Sequence, residues 1–198
     1  MKVLVYGAGV LGCNLARNMF RAGKDTVLLA RGKWAEEIRE NGLRIKDKFS
    51  PRMSVSRIPV VTQLMPDDVY DVIFVVVRYT QIKTVVDILH SNRTKNIVFV
   101  GNNVRAAELA ASLPEKNVML AFTSAAGHRE NDRVASVDLK KITVGTLSGA
   151  PSCEELIGQI FEKQNTRSHM SPTWEIIFSV MRHLCCLQPL PATKPTAI

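Results

Sequence analysis

The sequence has little that would bind a metal, cross a membrane or staple a secreted fold. Its four cysteines are Cys13, Cys153, Cys185 and Cys186 in 198 residues. They show neither the paired spacing of a zinc site nor a disulfide framework. The adjacent Cys185 and Cys186 read as small apolar packing residues. No apolar run approaches the roughly 20 residues that a membrane-spanning helix needs. Apolar strand residues begin at Val3, so no cleavable leader is expected, and the compartment these absences imply is the cytoplasm. Aromatic residues make up only 6% of the chain, and no dense basic run alternates with them. The net charge of +8 is therefore not read as a nucleic-acid face, and a phosphate-rich small ligand would equally favour a basic mouth. No internal repeat or low-complexity tract occurs. Hydrophobic residues reach 46%, enough for a real core.

What the chain has is a glycine turn at its start. Val3-Leu4-Val5-Tyr6 reads as a short buried parallel strand. Gly7, Gly9 and Gly12 supply the spacing G-x-G-x-x-G, and an amphipathic helix follows at once. Gly7 permits the turn off the strand, Gly9 lets backbone approach a pyrophosphate, and Gly12 lets the helix pack close to the strand. The first helical N–H groups are unpaired and sit at the positive end of the helix dipole, which suits a diphosphate. Gly7, Ala8, Gly9, Val10, Leu11 and Gly12 are the candidate dinucleotide turn.

The expected elements follow in an α/β order. A first helix runs from Val10 to Ala22 with Leu11, Leu15 and Met19 on one face and Gly23 after it. A second strand spans 26–30. An acidic residue at its end would accept the ribose 2′-OH of NAD. That carboxylate is missing here: the positions hold Arg31 and Lys33, whose charges suit a 2′-phosphate and point to NADP(H). Trp34 to Asn41 reads as a helix stopped by Gly42. Segments 43–48 and 52–56 form a polar hairpin or irregular edge strands, and 58–62 is another extended piece.

Residues 71–77 give the strongest strand signal, a β-branched run of the fully buried parallel kind. Arg78 stands at its end. Ile82, Val85, Val86 and Leu89 mark the next helix. Strand 95–100 leads into Gly101-Asn102-Asn103. Ala106, Leu109, Ala110 and Leu113 mark a helix stopped by Pro114. Strand 118–122 leads to a polar turn near Gly127 and His128, with two closing antiparallel strands at 133–138 and 141–145. A helix at 152–163 buries Leu156, Ile157, Ile160 and Phe161.

This order predicts a doubly wound parallel sheet, Rossmann-like, over 1–167. Gly7, Arg31, Arg78 and Asn102 all fall at carboxyl strand ends, the ligand edge of such sheets. Of the histidines, His128 falls in a ligand-edge loop, and His90 and His169 read as a helix end and a linker. The sequon Asn92-Arg93-Thr94 has no meaning in a cytoplasmic chain. Residues 168–198 read as the first helix and tail of an incomplete helical substrate or dimerisation domain. Trp174, Ile177, Phe178, Met181 and Leu184 form an apolar stripe that needs cover, which predicts a homodimer through 172–187.

These features together resemble the ketopantoate reductase (2-dehydropantoate 2-reductase) family over residues 1 to about 188. The resemblance rests on the N-terminal glycine turn, Arg31 after strand two, Val-Val-Val-Arg78-Tyr-Thr-Gln81 after the long strand, and Val-Gly-Asn102-Asn103 after the next. It implies a Rossmann domain with a helical second domain, and reduction of a small branched 2-oxo acid by NADPH, a step of pantothenate biosynthesis. It also implies cofactor contacts for Arg78, Gln81, Asn102 and Asn103, with Asn102 near the nicotinamide. Three positions depart from the family. Asn103 stands where a glycine is usual. Arg78 stands where a lysine is usual. The family's general-acid lysine would fall near Met181 or Arg182, neither of which is lysine; His183 beside them is the remaining candidate donor, with Asn102. Two other readings compete: a cofactor-holding module without turnover, and a related hydroxyacid or polyol-phosphate dehydrogenase. No metal is expected.

Overall fold

A computed structural model describes residues 1–50, 52–101, 106–149, 152–162 and 167–170. Asn102, Asn103, His183, Met181, Arg182 and the helix expected at 172–187 lie outside the described residues.

The sheet starts from β1 (Lys2–Tyr6), whose side chains alternate between two cores. Val3 and Val5 belong to one apolar cluster, and Leu4 and Tyr6 to the other. That period of two is what a strand buried on both faces must show. Helix α1 (Val10–Arg21) returns along the first face, followed by β2 (Asp25–Leu29), α2 (Gly32–Asn41) and the hairpin β3 (Leu43–Asp47) with β4 (Ser54–Ser56). Strand β5 (Val60–Val61) then pairs with β2, and β6 (Val72–Val75) crosses to the other side of β1. A single 3-10 turn, Tyr79–Gln81, leads into α3 (Ile82–Ser91). Next come β7 (Asn96–Val100), α4 (Ala106–Ser112), the long strands β8 (Asn117–Arg129) and β9 (Val134–Ser148), α5 (Ser152–Phe161) and β10 (Arg167–Met170).

Six strands in the order β5-β2-β1-β6-β7-β8 are all parallel. The fold is thus a doubly wound, Rossmann-like α/β sheet, and its connections change direction between β1 and β6. Residues of α1, α2 and α5 cover one face, and those of α3 with Leu109 and Leu113 cover the other. Phe161 of α5 meets Phe74 of β6 edge to face, with ring centroids 6.1 Å apart.

Beyond β8 the sheet continues as β9, β3 and β4, with β10 on β9. Helix α1 contacts β8, β9, β3 and β4 as well as β1 and β2, so the sheet bends round it. A polar face of α1 is buried as a result. The Arg17 guanidinium lies 2.9 Å from Asp138 Oδ2 and 3.9 Å from Asp47. Asn18 donates to the same Asp138 oxygen at 2.8 Å, and Ser136 donates to Asn14.

Three expectations are corrected. No turn occurs at Gly127 and His128: β8 runs through both, and the reversal comes where Glu130 N–H donates to the Arg133 carbonyl. The two closing strands are one. β9 carries a bulge in which Lys140 takes φ 52° and the register with β8 shifts between Thr123 and Ala125, so a single strand looks interrupted in sequence. His169 is no linker residue, because it pairs with Thr143 in β10.

Candidate functional site

The ligand edge is built where β1 and β6 part. Gly7 takes φ 120° directly after β1. A Cβ on it would lie 2.2 Å from the Val76 carbonyl oxygen, and one on Gly12 would lie 1.9 Å from the Gly7 carbonyl oxygen. Both positions are closed by backbone, so only glycine lets β1, β6 and α1 approach this closely. Gly9 differs. It is exposed, and a Cβ there would meet nothing within 4 Å. The turn therefore presents a bare stretch of backbone to solvent at the mouth of the crevice.

The first helical bond of α1 runs from Cys13 N–H to the Gly9 carbonyl at 2.9 Å. The N–H groups of Val10, Leu11 and Gly12 precede it and have no partner within the helix. The three residues differ in burial: Val10 and Leu11 are half-buried and Gly12 is buried. Ala8 turns its carbonyl to the indole N–H of Trp34, which donates at 3.0 Å. Trp34 is buried at the start of α2, and it ties the glycine turn to the segment after β2. Sequence reading took Trp34 only as a helix residue and missed this tie.

Arg31 is exposed at the end of β2, but its side chain is not loose. It donates to the Tyr6 hydroxyl at 2.8 Å and lies 5.9 Å from the centre of that ring. Lys33 is exposed two residues on. A residue that sequence reading missed reaches the same turn: the Arg129 guanidinium of β8 lies 5.4 Å from the centre of the Trp34 ring. No local pattern marks Arg129, because the contact spans 95 positions and depends on the sheet bending round α1.

On the other wall of the crevice, Arg78 follows β6 and is exposed. Its backbone N–H donates to Gln81 Oε1 at 3.2 Å, and its carbonyl accepts the Gln81 N–H at 2.9 Å. Gln81 thus caps the turn that presents Arg78. Gly101 ends β7 with its N–H on the Ala121 carbonyl, at the same edge. The site therefore gathers Gly7 to Gly12, Arg31, Lys33 and Arg78, with Trp34 and Arg129 added. The described residues hold no cluster of metal ligands.

His128 stands apart from the crevice's chemistry. It is exposed in β8 and lies 3.4 Å from Glu130, which also pairs with Arg133 at 2.6 Å. Cys13, one turn into α1, is fully buried, and burial pushes its thiol up to about 12 against weaker opposing effects from Trp34 and Arg129. It is no nucleophile at neutral pH.

The family described as "Ketopantoate reductase PanE/ApbA" matches residues 3–149. No curated protein sequence matches the chain significantly. Among solved structures, 2-dehydropantoate 2-reductase from Methylococcus capsulatus matches with a TM-score of 0.72 at 17% identity, over 93% of this chain and 60% of that one. The 2-dehydropantoate 2-reductase from Geobacter metallireducens GS-15 matches at 0.72 and 18%, over 86% and 58%. A D-mandelate dehydrogenase, solved with NADH and anilino(oxo)acetate, matches at 0.76 and 18%, over 93% and 61%. At such identities the likeness shows the fold. The chain spans about three fifths of the length of these structures.

Proposed function

From the chain's membership of the ketopantoate reductase PanE/ApbA family, we propose that it is the cofactor-holding part of an NADPH-dependent oxidoreductase acting on a small 2-oxo acid. The carrying observation is the contrast within the glycine turn. Gly7 and Gly12 are walled in by backbone, while Gly9 faces open space with three N–H groups behind it that have no partner within the helix. A cradle that a Cβ would fill, at the positive end of α1, fits a diphosphate.

The residues present fit the rest of the dinucleotide. Arg31 and Lys33 would take the 2′-phosphate, and no carboxylate stands among residues 31–34 to repel it. Arg78, held out by the Gln81 cap, would meet the cofactor or substrate across the switch point. Asn102 and Asn103 would follow β7 beside the nicotinamide. Bound in this way, the reduced nicotinamide supplies a hydride to a carbonyl carbon. This chain's contribution is to hold and orient the cofactor on a rigid sheet edge. Asn102 and His183 are the proposed candidates for the proton-donating side. Since 168–170 belong to β10 in the sheet, the helical substrate domain is proposed to begin after them, and two copies to pair through 172–187. The proposed setting is the cytoplasm, with pantothenate biosynthesis as the pathway.

A second reading is favoured by the likeness to D-mandelate dehydrogenase with NADH: a hydroxyacid dehydrogenase of the same fold. Fluorescence titration of the chain with NADPH and NADH separates them. The first reading expects tighter NADPH binding, with the preference lost or reversed in Arg31→Asp. Tighter NADH binding that Arg31→Asp leaves unchanged would favour the second. No binding of either would refute the cofactor site in this chain.

A further inference from the structure

Two guanidinium groups lie over two aromatic rings at the two ends of one short turn. Arg31 lies over Tyr6, whose ring belongs to the core on the α3 side of the sheet. Arg129 lies over Trp34, whose ring belongs to the core on the α1 side. Between them the turn Arg31-Gly32-Lys33-Trp34 carries a third cation and no acid. The turn is thus flanked by one arginine on a ring of each core.

Arg129 has no acidic partner among the described residues. The adjacent Glu130 is engaged by Arg133 and His128. Glu37 of α2 is engaged by Arg44 and Asn41. The Arg129 charge is felt at Cys13, in the first turn of α1, so it acts close to a helix N-terminus as well. Unpaired cations gathered near helix N-termini repel one another and the helix dipoles. A dianion on the turn would reverse the sign of each of these interactions.

Accepting the cofactor reading above, we propose that Arg129 is a specificity-determining residue. With Lys33 and Arg31 it grips the 2′-phosphate on the adenosine ribose, so the β8–β9 hairpin helps select NADPH over NADH. Trp34 lies three residues after Arg31, which places Arg129 beside the 2′-phosphate cations, and its indole also ties to Ala8 of the glycine turn, so the paired ligands below decide which phosphate Arg129 serves. The Trp34 ring, 5.4 Å from the guanidinium, restrains that group before binding, which spares part of the ordering cost.

The test is titration of the full chain and of its Arg129→Gln and Arg129→Lys variants with NADPH, NADH, 2′,5′-ADP and 5′-AMP. Arg129→Gln should weaken NADPH and 2′,5′-ADP about tenfold or more, the scale of a lost charge-assisted contact. It should leave NADH and 5′-AMP within about twofold, and Arg129→Lys should fall between. Equal weakening of NADPH and NADH would overturn the proposal, since the charge would then serve the diphosphate. A silent Arg129→Gln in a protein that binds NADPH would overturn it while leaving the cofactor reading intact. Wild-type protein that binds neither dinucleotide would overturn both.

Discussion

A methyl group on Gly12 would stand 1.9 Å from the carbonyl oxygen of Gly7, five residues earlier, while one on Gly9 would meet nothing within 4 Å. The two glycines share a motif but not a task. Gly12 is required by the protein's own backbone, whereas no described part of the protein crowds Gly9.

The pair therefore predicts two different failures. Gly12→Ala should lower stability by several kcal/mol, because the clash is with backbone and cannot be relieved by turning a side chain. It should appear as a lowered melting temperature or insoluble protein. Gly9→Ala should fold normally, since Gly9 has an ordinary φ of -78°, yet lose at least about tenfold in NADPH affinity. Normal NADPH binding by a well-folded Gly9→Ala would remove the argument for the cradle.

The buried face of α1 predicts a stability effect. Arg17 is 3% exposed and Asp138 6%, and burial lowers the Arg17 pKa despite the nearby carboxylates. Asp138→Ala would leave a desolvated guanidinium with only the more distant Asp47 as its counter-charge. The expected loss is about 3–5 kcal/mol by urea unfolding. A double variant Arg17→Met with Asp138→Leu should recover most of it, because the buried charge goes with its partner. Equal losses in the single and double variants would show that packing, not charge, sets the cost.

These polar contacts mark where sequence reading stopped. The doubly wound order was legible, because each parallel strand is a compact apolar run and each covering helix repeats every three to four residues. The candidate site was legible where it is local: Gly7 to Gly12, Arg31 and Arg78 all fall at strand ends. What was not legible depends on the sheet's curvature. Residues 133–145 read as two strands because a bulge at Lys140 interrupts their alternation. Asn14, Arg17 and Asn18 look like a solvated helix face until β9 and β3 close over them. Trp34 and Arg129 meet only when that same curvature brings the end of β8 to the start of α2.

Asn92 offers a separate test: sequence reading assigned its sequon no meaning, and in the structure it is a clip. It is 2% exposed, and its side-chain amide donates to the carbonyls of Met65 and Asp68, both at 2.7 Å. Its own carbonyl and that of Thr94 accept from the buried Lys116 ammonium. Asn92→Ala strands the two loop carbonyls, with an expected cost of about 1–3 kcal/mol. Thermal unfolding would measure it. An unchanged melting temperature would mean that water replaces the amide without loss.

Cys13 gives a prediction with a definite sign in pH. Burial raises its thiol from 9.0 to about 12, so the folded protein holds this proton more tightly than the unfolded chain does. The stability that follows is fully present below about pH 9. It is lost as pH rises toward 12, by at most about 1.4 kcal/mol per pH unit. Cys13→Ala should cost stability at pH 7 through the cavity it leaves, but show a shallower decline between pH 9 and 11 than wild type. Denaturant unfolding at a series of pH values reads both effects. The same burial predicts that iodoacetamide at pH 8 spares Cys13 in the native protein and labels it once urea is added, as peptide mapping would report. Rapid native labelling would mean that the first turn of α1 opens readily, and the glycine turn it anchors would then be no rigid cradle.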